Sequence, residues 1–368
     1  MAEYNFRGIN DAFPSLVGGV RKEVIPTITE ETRNGRVKKF AGTTTVVTYS
    51  NPKDRVLLNR SRDCNPFFHL YEALWMLAGR DDVEPLKYYN SNMVNYSDDG
   101  KTFNAAYGKR WRDWYGIDQL TELVEHIREF PITRRAVLAI WDPVRDLLRV
   151  DDRNKNTEYR GRINPGQSKD TACNVIVKFN VSNGKLHMNV HNRSNDMIWG
   201  MMGANVVHFS MLHEYMACST GYDLGTYTQI TDDLHIYENN WKPSEWLAPY
   251  ENRDAYSDPC CVEQLRQHKH VPLVYDKEDF DGEVKLFVDE HYQPEKLTGK
   301  EYYEEPFLSE VANPMCQAFH MHKQRDYRAA HLWMSAVAMK DWAMAGLWWL
   351  EKREQNWKEK NEQRASPK

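Results

Sequence analysis

Cysteine is scarce in this 368-residue chain, with six residues and no Cys-x-x-Cys pair, which excludes a disulfide scaffold and argues against a zinc site. Gly-rich phosphate loops of the Walker or dinucleotide type are missing as well, so any nucleotide phosphate would be held in another way. Long apolar runs are absent. Trp342 to Leu350 falls far short of the roughly 20 residues of a membrane span, and Met1 to Val20 has no signal-peptide core, so a cytoplasmic chain is expected. A basic excess is also lacking: 48 Lys+Arg against 53 Asp+Glu give a net charge of −5, which leaves local anion sites but no field to coat nucleic acid. What is present is an aromatic-rich globular composition, with 41% apolar residues, 12 Trp and 20 Tyr.

Residues 1 to 63 carry strand-like runs such as Thr43-Thr44-Thr45-Val46-Val47-Thr48 and open a sheet. Asn65-Pro66 starts a helix whose apolar positions Phe67, Leu70, Tyr71, Leu74 and Leu77 predict burial, with a stop at Gly79. Residues 80 to 115 read as long loops, Leu120 to Phe130 as a short amphipathic helix and Ala136 to Trp141 as a core strand. A β-hairpin is the clearest local inference. Val175, Val177, Phe179 and Val181 alternate, Asn183-Gly184 turns, and Leu186, Met188 and Val190 resume. This register sets Val181 opposite Leu186 and Val177 opposite Val190, and its outward continuation sets Cys173 opposite Ser194 and Asn174 opposite Arg193, unless a bulge intervenes. A helix follows Asn205, and Tyr227 to Tyr237 is strand-like. Residues 246–312 read as a peripheral insertion, with strand-like Val271 to Tyr275 and Val284 to Val288. The stretch 313–368 reads as a helical hairpin with a solvated end, leaving 1–245 as the core.

Several residues could carry chemistry. Arg193 beside Cys173 would lower the thiol pKa, against the alternative of a small buried core cysteine. Glu72 sits inside an apolar helix, where burial would raise its pKa toward acid–base use, although a narrow polar stripe would explain it too. His235 and Tyr237 share a strand face suited to gripping a hydroxyl, against the alternative of a purely structural pair. Arg193-Ser194 and Arg134-Arg135 could bind an anion or simply be solvated. The histidines have no clear metal spacing except His187 and His191 on one strand face, and no metal is expected.

The run Cys173-Asn174, Phe179, Gly184-Lys185-Leu186, Arg193-Ser194-Asn195-Asp196, Gly200, Asn205 and His235-Ile236-Tyr237 closely resembles the thymidylate synthase family. Upstream, Glu72-Ala73-Leu74-Trp75, Tyr107-Gly108-Lys109-Arg110-Trp111-Arg112 and Arg134-Arg135 follow the same order, so the resemblance covers approximately residues 20 to 245. It implies an α+β thymidylate synthase-like fold, with a twisted mixed β-sheet at a homodimer interface covered by helices. It implies Cys173 as the nucleophile toward C6 of a pyrimidine nucleotide, Glu72 and Tyr107 as its catalytic companions, and methylenetetrahydrofolate as co-substrate. Asn174, next to the nucleophile, joins the catalytic group. Arg193 and Ser194 would hold the 5′-phosphate, with Arg134 and Arg135 reaching in from the other subunit and Arg33 or Arg36 closing over it. His235 and Tyr237 would bind the ribose hydroxyl, Asn205 the base edge, and Asp196 with Gly200 the folate.

The chain departs from that pattern in four places. Thr171-Ala172 and Asn174 flank Cys173 where Pro and His are usual. Met202-Gly203-Ala204 precedes Asn205 with one extra residue. The loop Tyr88 to Asp99 lacks a tryptophan pair, and no short apolar tail ends the chain. All four bear on whether hydride or water ends the reaction, and the resemblance is closest in character to phage-type hydroxymethylases. The expected reaction converts dUMP to 5-hydroxymethyl-dUMP. Alternatives are a thymidylate synthase, a dCMP hydroxymethylase, since Asn205 favours uracil only through its amide, and, remotely, a non-catalytic nucleotide- or RNA-binding module. No membrane or nucleic-acid partner is expected.

Overall fold

A computed structural model of the chain describes residues 1–32, 35–42, 44–147, 168–251, 270–293 and 303–365. Arg33 and Thr43 lie outside the described residues, as do 252–269 and 294–302 of the expected insertion. Two sheets are present among the described residues. The larger runs β1 (Ala2–Phe6), β4 (Thr45–Tyr49), β9 (Asp223–Thr231), β7 (Lys185–Asn192), β6 (Asn174–Ser182), β5 (Val137–Ala139) in spatial order. It is mixed, because β1 pairs parallel to β4 and β7 parallel to β9 while the remaining neighbours are antiparallel. The smaller runs β2 (Thr27–Thr32), β3 (Gly35–Phe40), β10 (Leu234–Tyr237), β8 (Asn195–Asp196).

The β6–β7 hairpin has the expected register from Ser182↔Lys185 to Val177↔Val190. Asn183 and Gly184 both adopt positive φ, at 51° and 73°, which is the twist a two-residue loop needs to match its strands. Beyond Ile176 the expectation fails. A bulge at Val175 shifts the pairing to Asn174↔Asn192, and the Val175 carbonyl accepts from both Ile140 and Trp141 N–H. Cys173 therefore faces Arg193, whose N–H donates to the Cys173 carbonyl at 3.0 Å, and not Ser194.

Two helices cross the core behind the sheet. Pro66–Leu77 begins at Asn65, whose side chain accepts from Phe68 N–H, and is buried at every position but His69. It packs beside Asn205–Thr220, which is likewise apolar and buried around nearly its whole circumference. Glu214 on that second helix ties distant segments together. It pairs with buried Arg55 and accepts from His270 Nε2 at 2.6 Å and Leu273 N–H at 3.3 Å.

Other expectations are corrected. The stretch read as loops contains helices Val83–Tyr89 and Tyr107–Arg112, whose seven and six residues are too short to show a periodicity. Ala136 to Trp141 gives only the short edge strand β5, and Tyr227 to Tyr237 is divided between β9 and β10 in different sheets. Val284 to Val288 is helical, within Lys277–Glu290, because Phe280, Val284, Phe287 and Val288 form one buried stripe. The chain ends in three helices, Asn313–Lys323, Tyr327–Ser335 and Lys340–Ala365, where a hairpin was expected. The last meets the core through Trp349, edge-on to Phe67 with ring centroids 5.4 Å apart. Among the described residues no helix is long and apolar enough to cross a membrane.

Candidate active site

Cys173 stands at the start of β6, where the bulge turns it toward Arg193. The Arg193 guanidinium is held by the Ala172 carbonyl at 2.8 Å and the Thr171 carbonyl at 3.4 Å, and its Nη2 lies 4.0 Å from Cys173 Sγ. Tyr107 closes the other side. Its phenol oxygen accepts from the N–H groups of Cys173, at 3.2 Å, and Asn174, at 3.4 Å, so its own hydrogen is left to donate elsewhere. Burial, then the neighbouring Cys173 and Asp170, push that phenol far above its ordinary range.

The expected thiolate meets an opposing force. Burial pushes the Cys173 thiol up, Asp170 and Asp146 add to the push, and Arg193 counteracts them without prevailing. Desolvation of a small anion outweighs one half-exposed guanidinium at 4.0 Å. Asp170 is itself raised to about 6 by burial, although the Ala105 N–H donates to it at 2.8 Å. Asp146 is locked beneath the site in a bidentate pair with buried Arg110, at 2.6 and 3.0 Å.

Glu72 reaches the site from the first core helix. Gly108 lies so tightly on Met76 that a Cβ there would overlap the Met76 backbone, which sets the stripe Glu72/Met76 against Tyr107-Gly108. The second core helix supplies Asn205 and, one turn on, His208. Its Phe209 ring lies 6.1 Å from that of Tyr107. His208 Nε2 sits 2.9 Å from Glu72 Oε2 but off the N–H line, so this buried nitrogen is at ion-pair distance without a formed hydrogen bond. A buried carboxylate and an undirected imidazole nitrogen side by side form a seat for a polar atom.

The remaining expected residues divide. His235 and Tyr237 stand together, rings at 5.2 Å and 89°, on a strand that pairs His235 with Asp196. Asp196 caps the next turn through Ile198 and Trp199 N–H, and Arg36 pairs at the surface with Glu238. Ser194 lies between Arg193 and β8. Arg134 and Arg135 are exposed on the surface before β5, beside exposed Phe130 and Ile132. Asn174 is wholly buried, and its amide donates to Asn192. Gly200 makes room, since a Cβ there would overlap Asn195 Oδ1.

Sequence reasoning assigned no role at the site to five residues: Asp170, Trp199, Gln229, Asn195, which it quoted only within the family run, and His208, which it weighed only as a metal ligand. Gln229 had a signal, being polar in the buried phase between Tyr227 and Thr231. Trp199 is 54% exposed with the Arg62 guanidinium 4.3 Å from its ring, an aromatic face at the site's rim. Among the described residues, no group of three His, Cys, Asp or Glu is placed to hold a metal ion.

Residues 21–260 match the family model described as Thymidylate synthase. A deoxyuridylate hydroxymethyltransferase of Pseudomonas phage M6 is 39% identical over 358 residues, covering 94% of this chain and 93% of that protein. One of Bacillus phage SP01 is 40% identical over 57% of this chain and 52% of its own length. A thymidylate synthase of Vesicomyosocius okutanii is 28% identical over 48% of this chain and 61% of its own.

Proposed function

Because the chain belongs to the thymidylate synthase family, we propose that it converts dUMP to 5-hydroxymethyl-dUMP. Membership makes it a folate-dependent one-carbon transferase. The observation that carries the hydroxymethyl product is the similarity to the M6 protein. It spans 94% of the chain, whereas the family model ends at residue 260, before the three C-terminal helices. The synthase reading keeps the support of the weaker match to a thymidylate synthase.

Methylenetetrahydrofolate supplies the carbon unit. An exposed aromatic ring suits a flat heterocycle, and Trp199 with Asp196 and Gly200 offers that face. Cys173 Sγ adds to C6 of the nucleotide, which makes C5 the nucleophile. Arg193 and Ser194 bind the 5′-phosphate, with Arg36 and Arg33 closing from the N-terminal segment. His235 and Tyr237 bind the ribose hydroxyl, and Tyr107 shapes the base pocket. Asn174, through its two backbone and side-chain bonds, holds the strand end that carries the nucleophile. C5 bonds to the carbon carried by methylenetetrahydrofolate. Loss of the C5 proton with cleavage of the carbon–nitrogen bond releases tetrahydrofolate and leaves an exocyclic methylene on the covalent adduct. Water then adds to that methylene and its proton passes to the Glu72 carboxylate. The resulting enolate then restores the C5–C6 double bond and expels the Cys173 thiolate.

The same reading makes the protein a cytoplasmic homodimer that feeds phage DNA modification. Exposed Ile132 and Phe130 beside Arg134 and Arg135 give the pair an apolar footing for entering a second subunit. Product analysis with dUMP and methylenetetrahydrofolate is the test. Hydroxymethyl-dUMP with tetrahydrofolate is expected, and stoichiometric dihydrofolate with dTMP would replace this reading with the synthase one.

A further inference from the structure

We propose that a relay of three side-chain amides locks Asn205 in the orientation that accepts uracil and refuses cytosine. This rests on the reading above that Asn205 faces the base. The relay is anchored at the Met201 carbonyl, which can only accept, so Gln229, wholly buried, turns its Nε2 there at 3.0 Å. Gln229 Oε1 is then left facing Asn195, which must answer with Nδ2, at 3.3 Å. Asn195 Oδ1 consequently faces Asn205, and Asn205 donates to it with Nδ2, at 3.1 Å. One backbone oxygen thereby sets the flip of three amides in succession.

For a ligand, Asn205 has its Oδ1 and one remaining N–H. Uracil presents a donor at N3 and an acceptor at O4, which these two atoms match, whereas cytosine reverses both positions. To meet cytosine, the Asn205 amide would rotate by half a turn and set oxygen against Asn195 Oδ1. Rotating Asn195 and Gln229 in turn only carries the mismatch to Met201, whose carbonyl has no other form. Asn195 is 3% exposed, so water cannot repair the clash at its amide. Gly200 belongs to the device by what it lacks: a Cβ would overlap Asn195 Oδ1 and lie 3.4 Å from Asn205 Nδ2. Asn195 and Gln229 are positioning residues that act through Asn205.

The test compares binding of dUMP and dCMP to the full chain and its variants. Gln229→Met keeps the volume and removes the anchor, and the preference for dUMP over dCMP is expected to fall by about tenfold, mainly through tighter dCMP binding. Asn195→Asp leaves an acceptor before Asn205 whichever way Gln229 turns, so the preference is expected to stay within about twofold of the parent. Mere loosening of the site weakens both nucleotides together. An unchanged ratio in Gln229→Met, or an equal collapse in both variants, therefore overturns the lock. Asn205→Asp separates the two levels: if it does not shift preference toward dCMP, Asn205 does not read the base, and the reading beneath the lock is what fails.

Discussion

Cys173, the proposed nucleophile, sits in surroundings that favour the thiol. Burial raises its pKa, and Asp170, three residues earlier, adds a negative charge that itself titrates at about 6. Above that pH the carboxylate opposes the thiolate, and below it the opposition is removed. Asp170→Asn is accordingly expected to speed alkylation of Cys173 by iodoacetamide by about threefold or more at pH 7.5. The gain should vanish below pH 6, and an equal rate in parent and variant at pH 7.5 would show that the two groups do not communicate. The proximity of Arg193 to Cys173 and of His235 to Tyr237 was legible in the sequence, because each pair sits within short segments where strand alternation assigns neighbours. Asp170 was not, because its burial depends on residues distant in sequence, such as Asn104 and Ala105, that no local pattern connects.

Among the elements, Asn205–Thr220 carries the largest share of the organisation. Glu214 on it joins Arg55 and His270, and these partners hold its carboxyl far below the ordinary range despite full burial. A depressed pKa in the folded chain stabilises it above the unfolded value, and that stability is lost as the pH falls toward the folded one. Glu214→Gln is expected to cost about 3 kcal/mol at pH 7 by leaving Arg55 buried and unpaired. The difference from the parent in denaturant melts should narrow below about pH 4, and a variant as stable as the parent at pH 7 would deny the helix this role. The helix Pro66–Leu77 was legible from its Asn65-Pro66 start and its apolar run, and Asn205–Thr220 from its long apolar stretch alone. The Val175 bulge was not, since strand alternation carries no mark of one extra residue. Neither was the helix Lys277–Glu290, whose Val284, Leu286 and Val288 mimic a strand over too short a window.

For the whole molecule, the exposed Arg134-Arg135 loop sets the proposed dimer a demanding condition. Mixing Arg135→Ala with Cys173→Ala should regenerate up to about a quarter of parental activity, because half of the dimers are hybrids with one intact site of two. Verified hybrids without activity would mean that each subunit uses its own arginines. The sheet order was outside the reach of sequence reasoning, because it joins strands by geometry and not by neighbourhood. That order also sets a schedule for synthesis. Strands β1 and β4, complete by Tyr49, have as their next neighbour β9, which ends at Thr231. A ribosome moving at about 5 to 20 residues per second needs roughly 10 to 40 s to cover that interval. For that time the segment from β1 to β4, roughly the first eighth of the chain, waits as a two-stranded parallel ribbon without its third strand, so nascent chains stay open to aggregation and chaperone capture at that edge until β9 emerges.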